Sequence, residues 1–442
     1  AVAKLYQAGA ILIGKLATHE FSHGGPSFDL PWPPARNPWQ PEHYSGGSSS
    51  GSGTAVAAGF VPLALGSDTG GSICMPALLC GVVGLKPTYG LVSRRGVMQN
   101  SATFDSCGPM TWTVEDCAIA LQALAGHDPY DPTSVRYKPP EYRTALTGDI
   151  RGVRIGVRHF WEEDQLANAE LCAAMEASIE VLRSLGARIE DARMHGPQDY
   201  HDIKLVIAES EIFSVYQQEL ITRASDFGAD FLWKTLPACL FQATEYIQAQ
   251  RELRRMVAAM QPLYERYDVL VTGGAGPASR LDAYRPIAFW EKPINIATPF
   301  SITGGPAIAL CNGFSNLGLP LGMQIAGRPF EEAMVFRVAH AYEQATAWRK
   351  RRPQLVAGAP RIPVEPASEF DGVVETDQRK RELVDRLARR TGLNLTDVQL
   401  ARLHAASPYA LEIAGRIHRD HTWWDGPANV FQPSGSHLES ES

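Results

Sequence analysis

Four short stretches carry residue types at spacings that chemistry uses. His19-Glu20-Phe21-Ser22-His23 has the H-E-x-x-H spacing of zinc peptidases. That chemistry needs both histidines one turn apart on a helix, with the glutamate as general base. Gly24-Gly25-Pro26 ends any helix at His23, and Pro26 and Asp29 stand where a longer zinc signature needs Gly and His. Glu42 offers a third ligand only from a Pro-rich loop. Gly47-Ser48-Ser49-Ser50-Gly51 has the G-x-S-x-G form of a nucleophile elbow, yet Pro41 to Ser45 is polar where an elbow needs a buried strand. Asp68-Thr69-Gly70 matches the aspartic-protease triplet, but no second triplet supplies the partner carboxylate. Thr69-Gly70-Gly71-Ser72 is different: it opens a helix. Backbone N–H groups at a helix start are unpaired and favour negative charge. A serine there can attack a carbonyl while neighbouring amides hold the oxyanion. The plainer role for Ser72 is an N-cap.

The elements that must position these residues alternate. Residues 1–9 read as a short helix, followed by a buried strand, Ala10 to Ile13. Ser52–Ala58 reads as a helix of small residues, Val61–Leu65 as a strand, and Ser72–Leu79 as a second helix. Thr113 and Asp116 form a capping box. Val153–Val157, Val269–Val271, Ala307–Leu310 and Met323–Ala326 read as strands. Leu166–Leu185, Tyr200–Arg223, Ala243–Tyr267 and Glu331–Ala347 read as helices. Strands alternating with helices predict α/β layers and a largely parallel sheet. Residues 353–369, rich in Pro and Ala, read as a linker. Thr376–Arg389 and Thr396–Ala406 read as helices with charged faces, and the tail after Asp425 reads as frayed.

Composition bounds the function. The 442 residues carry a net charge of −7, so no basic footprint points to nucleic acid or an acidic membrane. Gly 39 and Pro 31 are somewhat high, which fits many tight loops. Seven scattered cysteines have neither disulfide-framework nor zinc-ribbon spacing and read as reduced core residues of a cytoplasmic protein. The longest apolar stretch, Ala55–Gly66, is too short to span a bilayer. Gly46 to Gly53 has the composition of a flexible linker, but buried-looking segments flank it and a second Gly/Ser turn follows.

Three joined segments resemble the amidase signature family of serine amidohydrolases. They are GGSSSGSGTAVAAG at 46–59, GSDTGGSICMPALLCGVVG at 66–84 and GLKPTYGLVSRRG at 84–96. Asn37-Pro38-Trp39, Asp105 with Gly108-Pro109, and Gly327-Arg328-Pro329-Phe330 extend the likeness over residues 1–350. The resemblance implies an α/β fold with a large mixed, mainly parallel sheet covered by helices on both faces. It implies a Ser–cis-Ser–Lys relay in which Ser72 is the nucleophile and Ser48 the bridging serine on a cis peptide. Thr69, Gly70 and Gly71, with the Ser72 amide, would form the oxyanion hole. Asp68 and Ser49 would support the turn, and His23 and Gly24 would line the acyl pocket.

The same resemblance sets further expectations. Residues 1–352 form the catalytic domain, with the family's catalytic lysine expected upstream of Ala1. Lys4, Lys15 and Lys86 stand at structural positions. Cys74 replaces a usual arginine, and Ser50 a usual glycine. Outside the shared core, the Pro- and Ala-rich residues 353–369 read as a linker, and 370–442 as a helical extension offering a homodimer contact. The substrate is a small acyl amide, and neither metal nor cofactor is required. Four alternatives stay open: the glutamine-amidase subunit of a transamidation complex, a carbamate or anilide hydrolase, a zinc peptidase at His19 and His23, and a decayed amidase that only binds.

Overall fold

A computed structural model describes residues 1–160, 168–291, 297–360, 362–374 and 376–417. Its strands are β1 (Leu63–Asp68), β2 (Val83–Lys86), β3 (Ser106–Thr111), β4 (Arg154–Arg158), β5 (Arg188–Asp191), β6 (Val269–Gly273), β7 (Ala307–Phe314) and β8 (Pro320–Gly327). Its helices are α1 (Val2–Gln7), α2 (Ser50–Ala57), α3 (Cys74–Cys80), α4 (Val114–Leu124), α5 (Ala169–Ser184), α6 (Pro197–Arg223) and α7 (Ala229–Thr235). The later ones are α8 (Ala243–Ala259), α9 (Gln261–Arg266), α10 (Ala288–Glu291), α11 (Thr298–Thr303), α12 (Glu332–Ala345), α13 (Gln378–Arg390) and α14 (Asp397–Arg416).

The strands form one sheet in the order β1-β3-β2-β7-β8-β6-β4-β5. It is mixed and helix-covered, as expected, but not mainly parallel. Only β4 pairs parallel, with β5 and β6; every other described pair is antiparallel. The reason lies in strand lengths and short strands that periodicity does not reveal. β7 and β8 extend toward each other until only Ser315–Leu319 joins them, and a left-handed Gly318 (φ 76°) completes that hairpin. β2 and β3, unpredicted, insert two more antiparallel strands between β1 and β7.

Two other expectations change. Ala10–Ile13 forms no strand: Ile11 is 85% and Ile13 72% exposed, and no strand pairs with the segment among the described residues. The expected helix Ala243–Tyr267 is two, α8 and α9, with Pro262 at the start of the second, where its missing N–H costs nothing. The start of the expected helix at Leu166 and the tail after Asp425 lie outside the described residues.

The core has two main bodies. One packs α4, α5 and α12 on the sheet through Leu121, Met175, Val335 and Phe336. The other gathers α6, α7, α8 and α14 around Trp233, Leu205, Leu253 and Leu403. Thr113 caps α4 by accepting the Asp116 amide, the forward half of the expected capping box; the Asp116 carboxylate accepts the Thr113 hydroxyl rather than its amide. Lys4 donates to the carbonyls of Leu124, Ala125 and Gly126, which closes the other end of α4. No described helix is long and apolar enough to cross a membrane.

Candidate active site

Two turns meet beneath one pocket. The first precedes α2, and its Gly47–Ser48 peptide is cis. The second links β1 to α3. Asp68 ends β1 and is fully buried. Its carboxylate accepts the amides of Gly71 at 2.8 Å, Ile73 at 2.7 Å and Cys74 at 3.4 Å, and the Ser301 hydroxyl at 2.7 Å. Asp68 thus acts as the anionic cap of α3. Ser49 joins the turns. Its Oγ donates to the Ser67 carbonyl and accepts the Ser67 amide, and its own amide donates to the Ser72 carbonyl at 3.3 Å. The Ser48 carbonyl accepts from the His19 amide and from Thr18 Oγ1. Ser48 Oγ is buried and has no hydrogen-bond partner among the described residues.

Glycine is required by close approach at two points. A Cβ on Gly47 would stand 1.9 Å from His19 Cε1, and one on Gly25 would stand 1.9 Å from Tyr284 Oη. His19 itself is pinned: its Nδ1 lies 2.7 Å from the Gly24 carbonyl, and burial lowers its pKa to about 4. The neutral ring therefore donates from Nδ1 to Gly24.

The pocket holds about 590 Å³, and its lining includes Ser72, Thr69, Gly70, Gly47, His23 and Gly24 together with Lys204, Lys234 and Arg285. His23 Nε2 lies 3.0 Å from Glu209 Oε2, while Lys204 Nζ donates to Glu209 Oε1 at 3.0 Å. Burial alone would raise the Glu209 carboxyl, but His23 and Lys204 hold it below its ordinary range. Deeper, Asp230 accepts from Lys234 Nζ at 2.6 Å, Tyr284 Oη at 2.6 Å and the Gly25 amide at 2.7 Å. That anchors the glycine loop after His23.

The sequence reading missed Lys204, Glu209, Asp230, Lys234 and Tyr284. A signal existed for four of them. Lys204 and Glu209 flank the apolar run Leu205-Val206-Ile207-Ala208, and Asp230 and Lys234 bracket Phe231-Leu232-Trp233 at i, i+4. Charges inside apolar helical runs mark buried ion pairs.

Among the expected site residues, one role needs correction. The Gly71 amide is taken by Asp68, so it is not an open oxyanion donor; Gly71, at φ 116°, shapes the turn instead. Thr69, Gly70 and Ser72 do line the pocket. Thr69 Oγ1 donates to Asp105 Oδ1 at 2.6 Å, and Asp105 also accepts the amides of Asn100 and Ser101. Cys74 faces away from the pocket, toward the Ala307 carbonyl, and burial raises its thiol well above the ordinary range. The zinc geometry is absent: Phe21 and Ser22 have positive φ, His23 faces Glu209, and no group of three metal-binding side chains occurs among the described residues. Glu20 accepts the Gly228 amide instead, and burial raises its pKa to about 7.

Residues 1–336 match the family model described as Amidase. A glutamyl-tRNA(Gln) amidotransferase subunit from Chloroflexus aurantiacus is 37% identical over 386 residues, covering 80% of this chain and 78% of that protein. The solved structure of the corresponding Thermotoga maritima protein is 33% identical, with TM-score 0.68 over 78% of this chain and 75% of that one. A 6-aminohexanoate cyclic dimer hydrolase complexed with substrate gives TM-score 0.72 at 28% identity, covering 80% of this chain and 79% of its own.

Proposed function

The chain belongs to the amidase family, an enzyme family acting on carbon–nitrogen bonds, and from that premise we propose that it hydrolyses small acyl amides through a Ser72 acyl-enzyme. Ser72 Oγ attacks the amide carbonyl as Ser48 Oγ takes its proton. Ser48 passes its own proton to a general base, which the family resemblance assigns to a lysine. The oxyanion forms against the Ser72 amide and the Thr69–Gly70 turn. The relay returns a proton to the departing ammonia or amine, and water releases the acyl group by the reverse route. No step requires a metal.

Lys4 and Lys86 both spend their ammonium groups on backbone carbonyls. Lys4 holds the end of α4. Lys86 donates to the Pro87 carbonyl at 2.6 Å, and burial lowers its pKa to about 8 against the opposing pull of Asp68.

The observation that carries this reading is the seat of Ser72. It faces the pocket from a turn clamped by buried Asp68, with its carbonyl tied to Ser49 beside Ser48. His23 and Gly24 supply the acyl side of the same pocket. Labelling with a fluorophosphonate probe and mapping by mass spectrometry tests it. Label on Ser72, lost together with amide turnover in a folded Ser72→Ala variant, is the expected result; label elsewhere or sustained turnover overturns it.

A second reading, the glutamine-amidase subunit of a transamidation complex, draws on the names of the 37%-identical relatives. It predicts that glutamine hydrolysis appears only when a companion chain is added.

A further inference from the structure

The pocket lining includes three cations, and the counter-ions of two of them, Lys204 and Lys234, are not part of that lining. Lys204, Lys234 and Arg285 line the cavity, whereas Glu209 and Asp230 do not reach its surface. The Glu209 side chain is fully enclosed and that of Asp230 is 5% exposed. Lys234 uses two of its three donors, on Asp230 and on Tyr284. Arg285 has its charge matched inside the cavity by Glu291, a lining residue, at 3.0 Å, and also donates to the Asp371 carbonyl at 3.1 Å. Lys204 is less committed than either. An ammonium carries three donors. Among the described residues Lys204 Nζ gives one, to Glu209, and that carboxylate is divided between Lys204 and His23.

Placement matters as much as charge. The Lys204 alkyl chain crosses the face of Gly70, its Cε lying 3.1 Å from where a Cβ on that glycine would stand. Its Nζ lies 4.6 Å from the centre of the Phe289 ring. The stem is therefore held against the turn that carries Ser72, and the head lies between Glu209 and Phe289, a residue that lines the cavity with it.

We propose that the site selects amides bearing a carboxylate, and that Lys204 is the residue that recognises it. This rests on the Ser72 reading above for the reaction, though not for the binding. A half-buried carboxylate–ammonium contact discriminates by about 10- to 100-fold over an uncharged group.

The test compares kcat/KM for succinamate and for butyramide, which replaces the carboxylate with a methyl group. Wild type should favour succinamate at least about tenfold. Lys204→Arg should keep most of the preference, and Lys204→Met or Lys204→Gln should bring the ratio near one. A wild-type ratio near one, or a preference that survives both neutral variants, overturns the proposal. Calorimetry of both compounds on wild type and Ser72→Ala gives a second readout that needs no turnover: succinamate should bind more tightly by a similar factor. Equal binding, or no succinamate binding, overturns the proposal whatever the nucleophile. Turnover persisting in Ser72→Ala would instead sink the nucleophile assignment and leave the ratio measurable.

Discussion

Asp68 Oδ2 accepts the Ile73 amide at 2.7 Å, one residue past Ser72, while its other oxygen takes the Gly71 amide and the Ser301 hydroxyl. One buried carboxylate thus fixes the backbone on both sides of the proposed nucleophile. An amide of the same size can accept through only one of its two atoms, and its NH₂ would meet N–H donors. Asp68→Asn should lower stability by about 2–3 kcal/mol and kcat by roughly 100-fold. Urea unfolding and steady-state kinetics check both, and a wild-type kcat would remove Asp68 from the positioning role.

Ser48 Oγ makes no hydrogen bond among the described residues, so its removal should barely touch stability. As the relay, however, it should be worth about 10²–10⁴ in rate. Ser48→Ala is expected to lose that factor in kcat with its melting temperature nearly unchanged. A large drop in melting temperature would mean that the hydroxyl serves the fold.

The Gly47–His19 contact predicts a coupled pair. The three atoms nearest a methyl at 47 all belong to the His19 ring, the first at 1.9 Å. Gly47→Ala alone should destabilise by about 1–3 kcal/mol. Adding His19→Ala removes the obstructing ring, so the double variant should be less destabilised than the two losses summed, by at least about 0.5 kcal/mol. Additive losses in a double-mutant cycle would place the strain elsewhere.

The local parts of this site were legible because they are contiguous. Asp68, Thr69, Gly70 and Ser72 share one turn, and Ser48 and Ser49 another. The cationic part of the lining was not legible. Lys204 and Lys234 reach it from α6 and α7, more than 130 residues further along the chain, and only tertiary packing brings them to Gly70 and Gly24. Alternation of strand and helix disclosed the α/β class, yet misjudged the sheet. Strand direction depends on connections such as Ser315–Leu319, whose length emerges only when β7 and β8 pair to their full extent. Ala10–Ile13 shows the converse: apolar, β-prone residues do not make a strand without a neighbour to bond.

Asp105 should give the fold a distinctive pH dependence. Burial raises its carboxyl from the ordinary 3.8 to about 6, against the pull of Thr69 and the Asn100 and Ser101 amides. Between those two values the folded state keeps a proton that the unfolded chain has lost. Stability from this group therefore falls as pH rises from about 4 to about 6, then levels. His19, lowered to about 4, has the opposite slope, because its folded state refuses a proton that the unfolded chain accepts. Asp105→Asn isolates the first effect. The stability of wild type minus that of the variant should decline by up to about 3 kcal/mol from acid to neutral pH. A flat difference in urea titrations would show that burial leaves the Asp105 carboxyl unshifted, and a rising one that its partners hold it below the ordinary range.

Asp230 and Lys234 test whether the buried wall is an ion pair or merely a pair of neighbours. They lie 2.6 Å apart, one turn from each other on α7, and both are buried. Burial would raise the Asp230 carboxyl, but Lys234, Tyr284 and the Gly25 amide hold it below its ordinary range. Asp230→Asn strands the ammonium in a dry site and should cost about 3–5 kcal/mol; Lys234→Met strands the carboxylate at similar cost. Removing both leaves no unpaired charge, so the double variant should be far more stable than the sum of the single losses implies. Activity should not recover with stability. Asp230 also receives the Gly25 amide, and the glycine loop that carries His23 into the pocket loses that charged anchor in either Asp230 variant. A double variant that restores stability but leaves kcat/KM depressed would separate the two roles of Asp230, while full recovery of both would confine it to the ion pair.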